Sequence, residues 1–87
     1  MRYHLIYTSQ AQRDAKKIAR SSLKNGRLRL LKILEKDPFR TPPRYEKLLG
    51  DLTGAYSRRI NTHYRLVYQV LEAEKVVRVL PMWNRYE

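Results

Sequence analysis

Apolar and polar positions follow a helical period in the first half of the chain and a strand period in the second. Arg2 to Thr8 is rich in Tyr, Leu and Ile and predicts a strand. Ser9, with Gln12 three residues later, has the form of a capping box, in which each side chain satisfies a backbone N–H left free at a helix start. The helix that follows carries Ala11, Ala15, Ile18 and Ala19 on one face, with Arg13, Lys16, Lys17 and Arg20 largely elsewhere. Asn25-Gly26 predicts a break between helices. A second helix runs from about Arg27 to Lys36, with Leu30, Leu31, Ile33 and Leu34 as its apolar side. Asp37-Pro38 stops it, because proline disfavours helical geometry in the residue before it. The loop from Phe39 to Arg44 holds Pro42 and Pro43 and cannot be a central strand.

The second half reads as a meander. Ala55 to Ile60 predicts one strand, Asn61-Thr62 a turn, and Tyr64 to Leu71 a second strand of high β-propensity. Glu72-Ala73-Glu74 predicts another turn. Val76 to Trp83 predicts a third strand, which Pro81 either bulges or places near an edge. The order β-α-α-β-β-β implies an α+β domain, with two N-terminal helices packed on one face of a mostly antiparallel four-stranded sheet. The opposite face is then free to carry a site. Alternation puts Arg65, Val67, Gln69 and Leu71 on one face and Tyr64, Leu66, Tyr68 and Val70 on the other. Ser57 and Arg59 share a face, and Tyr56, Arg58 and Ile60 share the other; parity alone leaves open which is the core.

Charge narrows the function. Nineteen Lys and Arg face eight Asp and Glu, a net +11. That exceeds the roughly 2–8 units that solubility asks of a small domain and points to nucleic acid, acidic protein or anionic lipid. Lipid is the weakest choice: no apolar run approaches the ~20 residues needed to span a bilayer, and no signal-peptide pattern opens the sequence. The expected location is the cytoplasm. The 87 residues form a single domain, residues 1–87, with a small core. Cysteine is absent and the two histidines, His4 and His63, are isolated, so neither a disulfide framework nor a zinc site is expected, and no cofactor is called for.

A carboxylate just upstream of strands loaded with arginine and tyrosine suits a site that handles RNA phosphates. Cleaving RNA without metal requires a base for the ribose 2′-hydroxyl, cations for the charge that builds at phosphorus, and an acid for the leaving 5′-oxygen. Glu46 is a candidate base; it is equally a surface carboxylate that could pair with Lys47 or Arg44. Arg59 and Arg65 are candidate cations, since guanidinium forks match phosphate oxygens; solvated strand arginines are the alternative. Arg85 and Tyr86 could approach the leaving group. Tyr56, Tyr64, Tyr68 and Trp83 either stack on bases or fill the core. Arg58 and Lys47 complete the candidate RNA-binding set, and the helix residues Arg13, Lys16, Lys17, Arg20, Lys24, Arg27, Arg29 and Lys32 form either an rRNA grip or a solvated face.

Several segments, in this order and spacing, carry a resemblance over nearly the whole chain: Asp37-Pro38-Phe39, Glu46-x-Leu48, Leu52-Thr53-Gly54, Tyr56-Ser57-Arg58-Arg59-Ile60, Arg65-Leu66-Val67-Tyr68 and Met82-Trp83-x-x-Tyr86-Glu87. The chain resembles the YoeB/Txe branch of the RelE superfamily, the ribosome-dependent mRNA-cleaving toxins of bacterial toxin–antitoxin pairs. The resemblance implies entry into the A site of the 70S ribosome and cleavage of mRNA there, with Glu46 as base, Arg65 stabilising the transition state, Arg59 on phosphate and Tyr86 orienting substrate. It implies an acidic antitoxin that folds onto the toxin, and operator DNA bound indirectly through that complex. One position departs from the pattern. Arg85 stands where the family has its general-acid histidine, and arginine, with a pKa above about 12, is a poor proton donor. Either Arg85 stabilises the leaving oxygen electrostatically, or Tyr86 or a water donates the proton, or the chain is an attenuated toxin that binds antitoxin and ribosome without efficient cleavage. A gyrase-poisoning relative is disfavoured by Glu46 and the Tyr-Ser-Arg-Arg run.

Overall fold

The computed structural model describes residues 2–84. The chain runs β1 (His4–Tyr7), α1 (Ser9–Ile18), α2 (Lys24–Lys36), β2 (Tyr45–Lys47), a 3₁₀ turn (Gly50–Leu52), β3 (Ala55–Arg59), β4 (Tyr64–Leu71), β5 (Val76–Val79) and β6 (Trp83–Asn84). One sheet has the order β1-β5-β4-β3-β2, with β6 also on β4. Only β1 with β5 is parallel. The α+β architecture with both helices ahead of a mostly antiparallel sheet is as the sequence predicts.

The sheet is larger than the four strands expected. Two short pieces extend it. The three residues of β2 pair with β3 at the edge, Glu46 opposite Ser57. The predicted last strand is split. Val79 pairs with Tyr68 and Trp83 with Arg65, so four steps along one strand answer three along the other, which is a bulge centred near Pro81.

Local rules explain the other departures. The N-cap of α1 is Thr8, not Ser9: Thr8 leaves β1 in extended geometry and its hydroxyl accepts from the Ala11 N–H at 3.1 Å. The break between helices falls at Ser21 rather than Asn25-Gly26, where the Ser21 hydroxyl donates to the Ile18 carbonyl (2.9 Å) and accepts from the Leu23 N–H (3.1 Å). Asn25 and Gly26 lie inside α2. A glycine in a helix costs about 1 kcal/mol relative to alanine, whereas burying one leucine stabilises by roughly 1.5–3 kcal/mol, and α2 buries Leu30, Leu31 and Leu34.

Those leucines and Ala11 of α1 pack on Leu66, Tyr68, Val77 and Val79. The helix-covered face of β4 is therefore the one with Leu66 and Tyr68. The other face has its own small apolar cluster of Leu48, Ala55 and Val67, with Leu80 against it.

The helix-covered face also contains a charge. Arg58 is fully buried. Its Nε donates to the Tyr68 hydroxyl (3.1 Å), and its two terminal nitrogens donate to the carbonyls of Pro43 (2.6 Å) and Pro38 (2.9 Å). The Tyr68 hydroxyl in turn donates to the Pro38 carbonyl (3.0 Å), and the Tyr45 ring lies 5.1 Å from the guanidinium carbon. The proline-rich loop is thereby tied to the middle of the sheet.

Burial pushes the Tyr68 phenol up to about 12, with Arg58 acting in the opposite sense. A raised folded-state pKa favours the neutral phenol, so the stability it contributes is intact below pH 10 and is lost as pH rises towards 12. Urea unfolding should show that loss in the native protein and a smaller one in Tyr68→Phe. At pH 8 the variant should be less stable by about 1–3 kcal/mol, because Arg58 and Pro38 each lose a partner. Identical alkaline limbs in the two proteins would contradict the account.

Candidate active site

The face turned away from the helices holds a cleft of about 300 Å³ lined by Pro43, Arg44, Glu46, Ser57, Arg59 and Arg65. Strand alternation assembles it. Glu46 on β2 stands opposite Ser57 on β3, and Arg59 on β3 stands opposite Arg65 on β4. With a period of 2, residues 57 and 59 face the cleft while 56 and 58 face the helices. The proline loop, held from behind by Arg58, supplies the wall of Pro43 and Arg44.

Arg65 and Glu46 form an ion pair, Nη1 to Oε1 3.5 Å, with the arginine side chain 17% exposed and the glutamate 47%. The separation is long for a charge-assisted hydrogen bond, so the pair is loose and open to competition. Three arginines share the cleft with one carboxylate, which leaves it positive and suited to an anion. A second hollow of about 390 Å³ shares Pro43 and Arg59 with the cleft and reaches Arg29 on α2. Among the described residues no cluster of three or more metal-ligating side chains occurs.

The bulge brings β6 into this region. The Leu80 N–H donates to the Val67 carbonyl (2.9 Å) and the Met82 N–H to the Asp14 carboxylate on α1 (2.9 Å). β6 then lies along β4 with residue 83 opposite Arg65. Arg85 and Tyr86, the sequence candidates for the leaving-group side, lie outside the described residues.

Glu46, Arg59 and Arg65 are thus brought together. Four other sequence candidates are not. Arg58 cannot meet RNA, being buried with its guanidinium committed to Tyr68, Pro38 and Pro43. Tyr56 lies on the helix side, half-buried, with its ring 5.4 Å from Phe39, 5.6 Å from Tyr45 and 5.8 Å from Tyr68, so it packs rather than presenting a platform to the cleft. Tyr68 is fully buried and has no access to bases. Lys47 is exposed but shares Tyr56's side of the sheet, away from the cleft. Of the helix cations, Arg27 is buried beside the Tyr7 ring (5.9 Å), and the desolvation lowers its pKa; Arg13, Lys16, Lys17, Arg20, Lys24, Arg29 and Lys32 are exposed. His4 is in β1, at the sheet edge remote from β2, and His63 does not line the cleft. The structure adds Ser57, Arg44 and Pro43, for which the signal was present in the sequence only as proximity to Glu46 and Arg59.

No described helix is long and apolar enough to cross a membrane. Residues 6–86 match the family described as YoeB-like toxin of bacterial type II toxin–antitoxin system. The chain is 35% identical to Toxin YoeB of Synechocystis over 66 residues, 76% of this chain and 70% of that one. It is 41% identical to Toxin YoeB of Streptomyces coelicolor over 49 residues, 56% of this chain and 58% of that protein, so it spans little more than half the length of this relative. Its fold matches a YoeB/ParE toxin from Agrobacterium tumefaciens with a TM-score of 0.83 at 25% identity, covering 93% of this chain and 96% of the other. It also matches a chain of the YoeB–YefM complex from Staphylococcus aureus with a TM-score of 0.79 at 29% identity, covering 95% and 97%. With a match that runs from β1 past β6 and a fold shared over almost the full length, the chain belongs to the YoeB-like toxins of bacterial type II toxin–antitoxin systems.

Proposed function

We propose that this toxin is a ribosome-dependent endoribonuclease that cuts mRNA in the A site and so inhibits translation. The observation that carries the reading is the loose Glu46–Arg65 pair in a cleft otherwise lined by Arg44 and Arg59. A phosphate entering the cleft competes for Arg65. The carboxylate it releases is then next to the same phosphate and free to act as a base.

In the step this implies, Glu46 takes the proton from the ribose 2′-hydroxyl and the 2′-oxygen attacks phosphorus. The bond to the 5′-oxygen breaks, and that oxygen takes up a proton from Tyr86 or from water. Arg65 and Arg59 bear the charge that develops on the non-bridging oxygens. Arg85 and Tyr86 serve the leaving oxygen, Arg85 by electrostatic stabilisation and Tyr86 by orienting it. The products are a 2′,3′-cyclic phosphate and a 5′-hydroxyl.

The partners follow from charge. With a net +11, the surface gains affinity by releasing counterions from rRNA and mRNA phosphates, and the exposed cations of α1 and α2 would add rRNA contacts from the helix side. An acidic antitoxin would meet the same surface, as suits a chain whose Staphylococcus aureus neighbour is in complex with YefM. Operator DNA would then be contacted through the antitoxin, and the toxin would act in the cytoplasm.

On 70S ribosomes programmed with a defined message, primer extension should place the cut in the A-site codon, and mRNA without ribosomes should stay intact. Glu46→Gln should lower the single-turnover rate by about 10²–10⁴, the usual contribution of a positioned base. A cut of equal rate without ribosomes or in the variant would refute the reading. Arg85→His should raise cleavage or leave it unchanged; a large loss would show that the guanidinium has a role an imidazole cannot fill.

A further inference from the structure

Ser57 is buried, 1% exposed, and its hydroxyl has no hydrogen-bond partner among the described residues. A buried hydroxyl left unpaired costs stability, so its presence calls for a reason. Packing does not supply one. Ala55, two residues earlier on the same face of β3, is equally buried and fills its place with no polar atom. An alanine at 57 would serve the sheet as well.

The position of Ser57 is specific. It stands between Glu46 on β2 and Val67 on β4, on the face that carries Arg59 and Arg65, and it lines the cleft with all three charged residues. The Glu46–Arg65 pair joins β2 to β4 across β3, and the glutamate half of that pair is substantially exposed.

We propose that Ser57 is a phosphate-binding residue: once the Glu46–Arg65 pair opens, its hydroxyl donates to a non-bridging oxygen of the RNA phosphate held by Arg59 and Arg65. The inference rests on the cleft's being the phosphate site of the proposed nuclease. It adds a short neutral donor from the middle of β3, one suited to an oxygen that gains charge as the 2′-oxygen attacks. The unpaired hydroxyl of the free protein is then a donor held ready for the substrate.

The test uses the full chain, with Ser57→Ala and Ser57→Thr, and a 2′-deoxy trinucleotide, which cannot be cleaved, as the probe. Binding is followed by the backbone amide resonances of residues 57–59 and 65–67. Ser57→Ala should unfold at the same urea concentration as the native protein or a higher one, since no native hydrogen bond is lost. It should bind the probe about ten- to hundredfold more weakly, the range for a hydrogen bond to a charged group, while Ser57→Thr, which keeps the hydroxyl, retains most of the affinity. Replacing a non-bridging oxygen of the probe by sulfur should weaken binding to the native protein more than to Ser57→Ala.

Unchanged affinity in Ser57→Ala, a loss of stability in that variant, or an equal sulfur effect in both proteins would each overturn the proposal. A probe that leaves the cleft amides unperturbed in the native protein overturns it as well. The nuclease reading is judged separately. Native protein that binds the probe through Ser57 yet never cuts mRNA on ribosomes refutes the nuclease and keeps the phosphate site. Native protein that cuts, with Ser57→Ala binding and cutting equally well, refutes only the role of Ser57.

Discussion

The buried guanidinium of Arg58 is the constraint on which the site depends. It has no carboxylate partner among its hydrogen bonds; two proline carbonyls, a phenol and the face of Tyr45 hold it. A cation in the interior is costly unless its nitrogens are hydrogen-bonded and the surrounding dipoles point at it. Meeting that condition fixes Pro38 and Pro43, and with them the loop that walls the cleft. Proline suits this loop because it offers a carbonyl and no competing N–H. The Phe39, Tyr45 and Tyr56 rings pack around the same point and keep water from it. Lysine could not replace Arg58, since a single ammonium has no planar fork to reach acceptors on two sides of a loop.

Adjacent arginines consequently do opposite jobs. Arg58 builds the wall from the helix side, and Arg59, one step on and facing the other way, lines the cleft. The pleat of β3 turns one dipeptide into a strut on one face and a cleft-lining cation on the other. On the cleft side, Glu46, Arg59 and Arg65 come from short stretches of β2, β3 and β4, so their spacing is set by the sheet's ladder rather than by flexible loops. The bulge near Pro81 sets β6 beside β4, with residue 83 opposite Arg65.

Much of this was legible in the sequence because it rests on period and punctuation. The helix leucines, the Tyr64–Leu71 strand, the turn at Asn61-Thr62 and the bulge at Pro81 are all local signals, and Glu46, Arg59 and Arg65 followed from chemistry and resemblance. What was not legible is what depends on partners distant in sequence. Nothing local says that Arg58 is inside and Arg59 outside, since both are arginines in a strand; the decision lies with Pro38 and Pro43, twenty and fifteen residues away. The strand at Tyr45–Lys47 is too short to show a period and exists because β3 offers it an edge. Asn25-Gly26 reads as a break by composition, and tertiary packing of the leucines overrides it. Ser57 drew no notice because a serine in a strand is unremarkable until its burial and lack of a partner are seen.

The central claim is that the cleft uses the RNA's own 2′-hydroxyl as nucleophile, with Glu46 as its base. The most direct test is to program 70S ribosomes with a message carrying a 2′-deoxynucleotide at the mapped cleavage position and compare single-turnover cutting with the all-ribose message. The account predicts that cutting at that bond disappears while the toxin still binds the ribosome, and that the all-ribose product ends in a 2′,3′-cyclic phosphate. Cleavage at an undiminished rate, leaving a 3′-hydroxyl and a 5′-phosphate, would mean that water attacks instead and would contradict it.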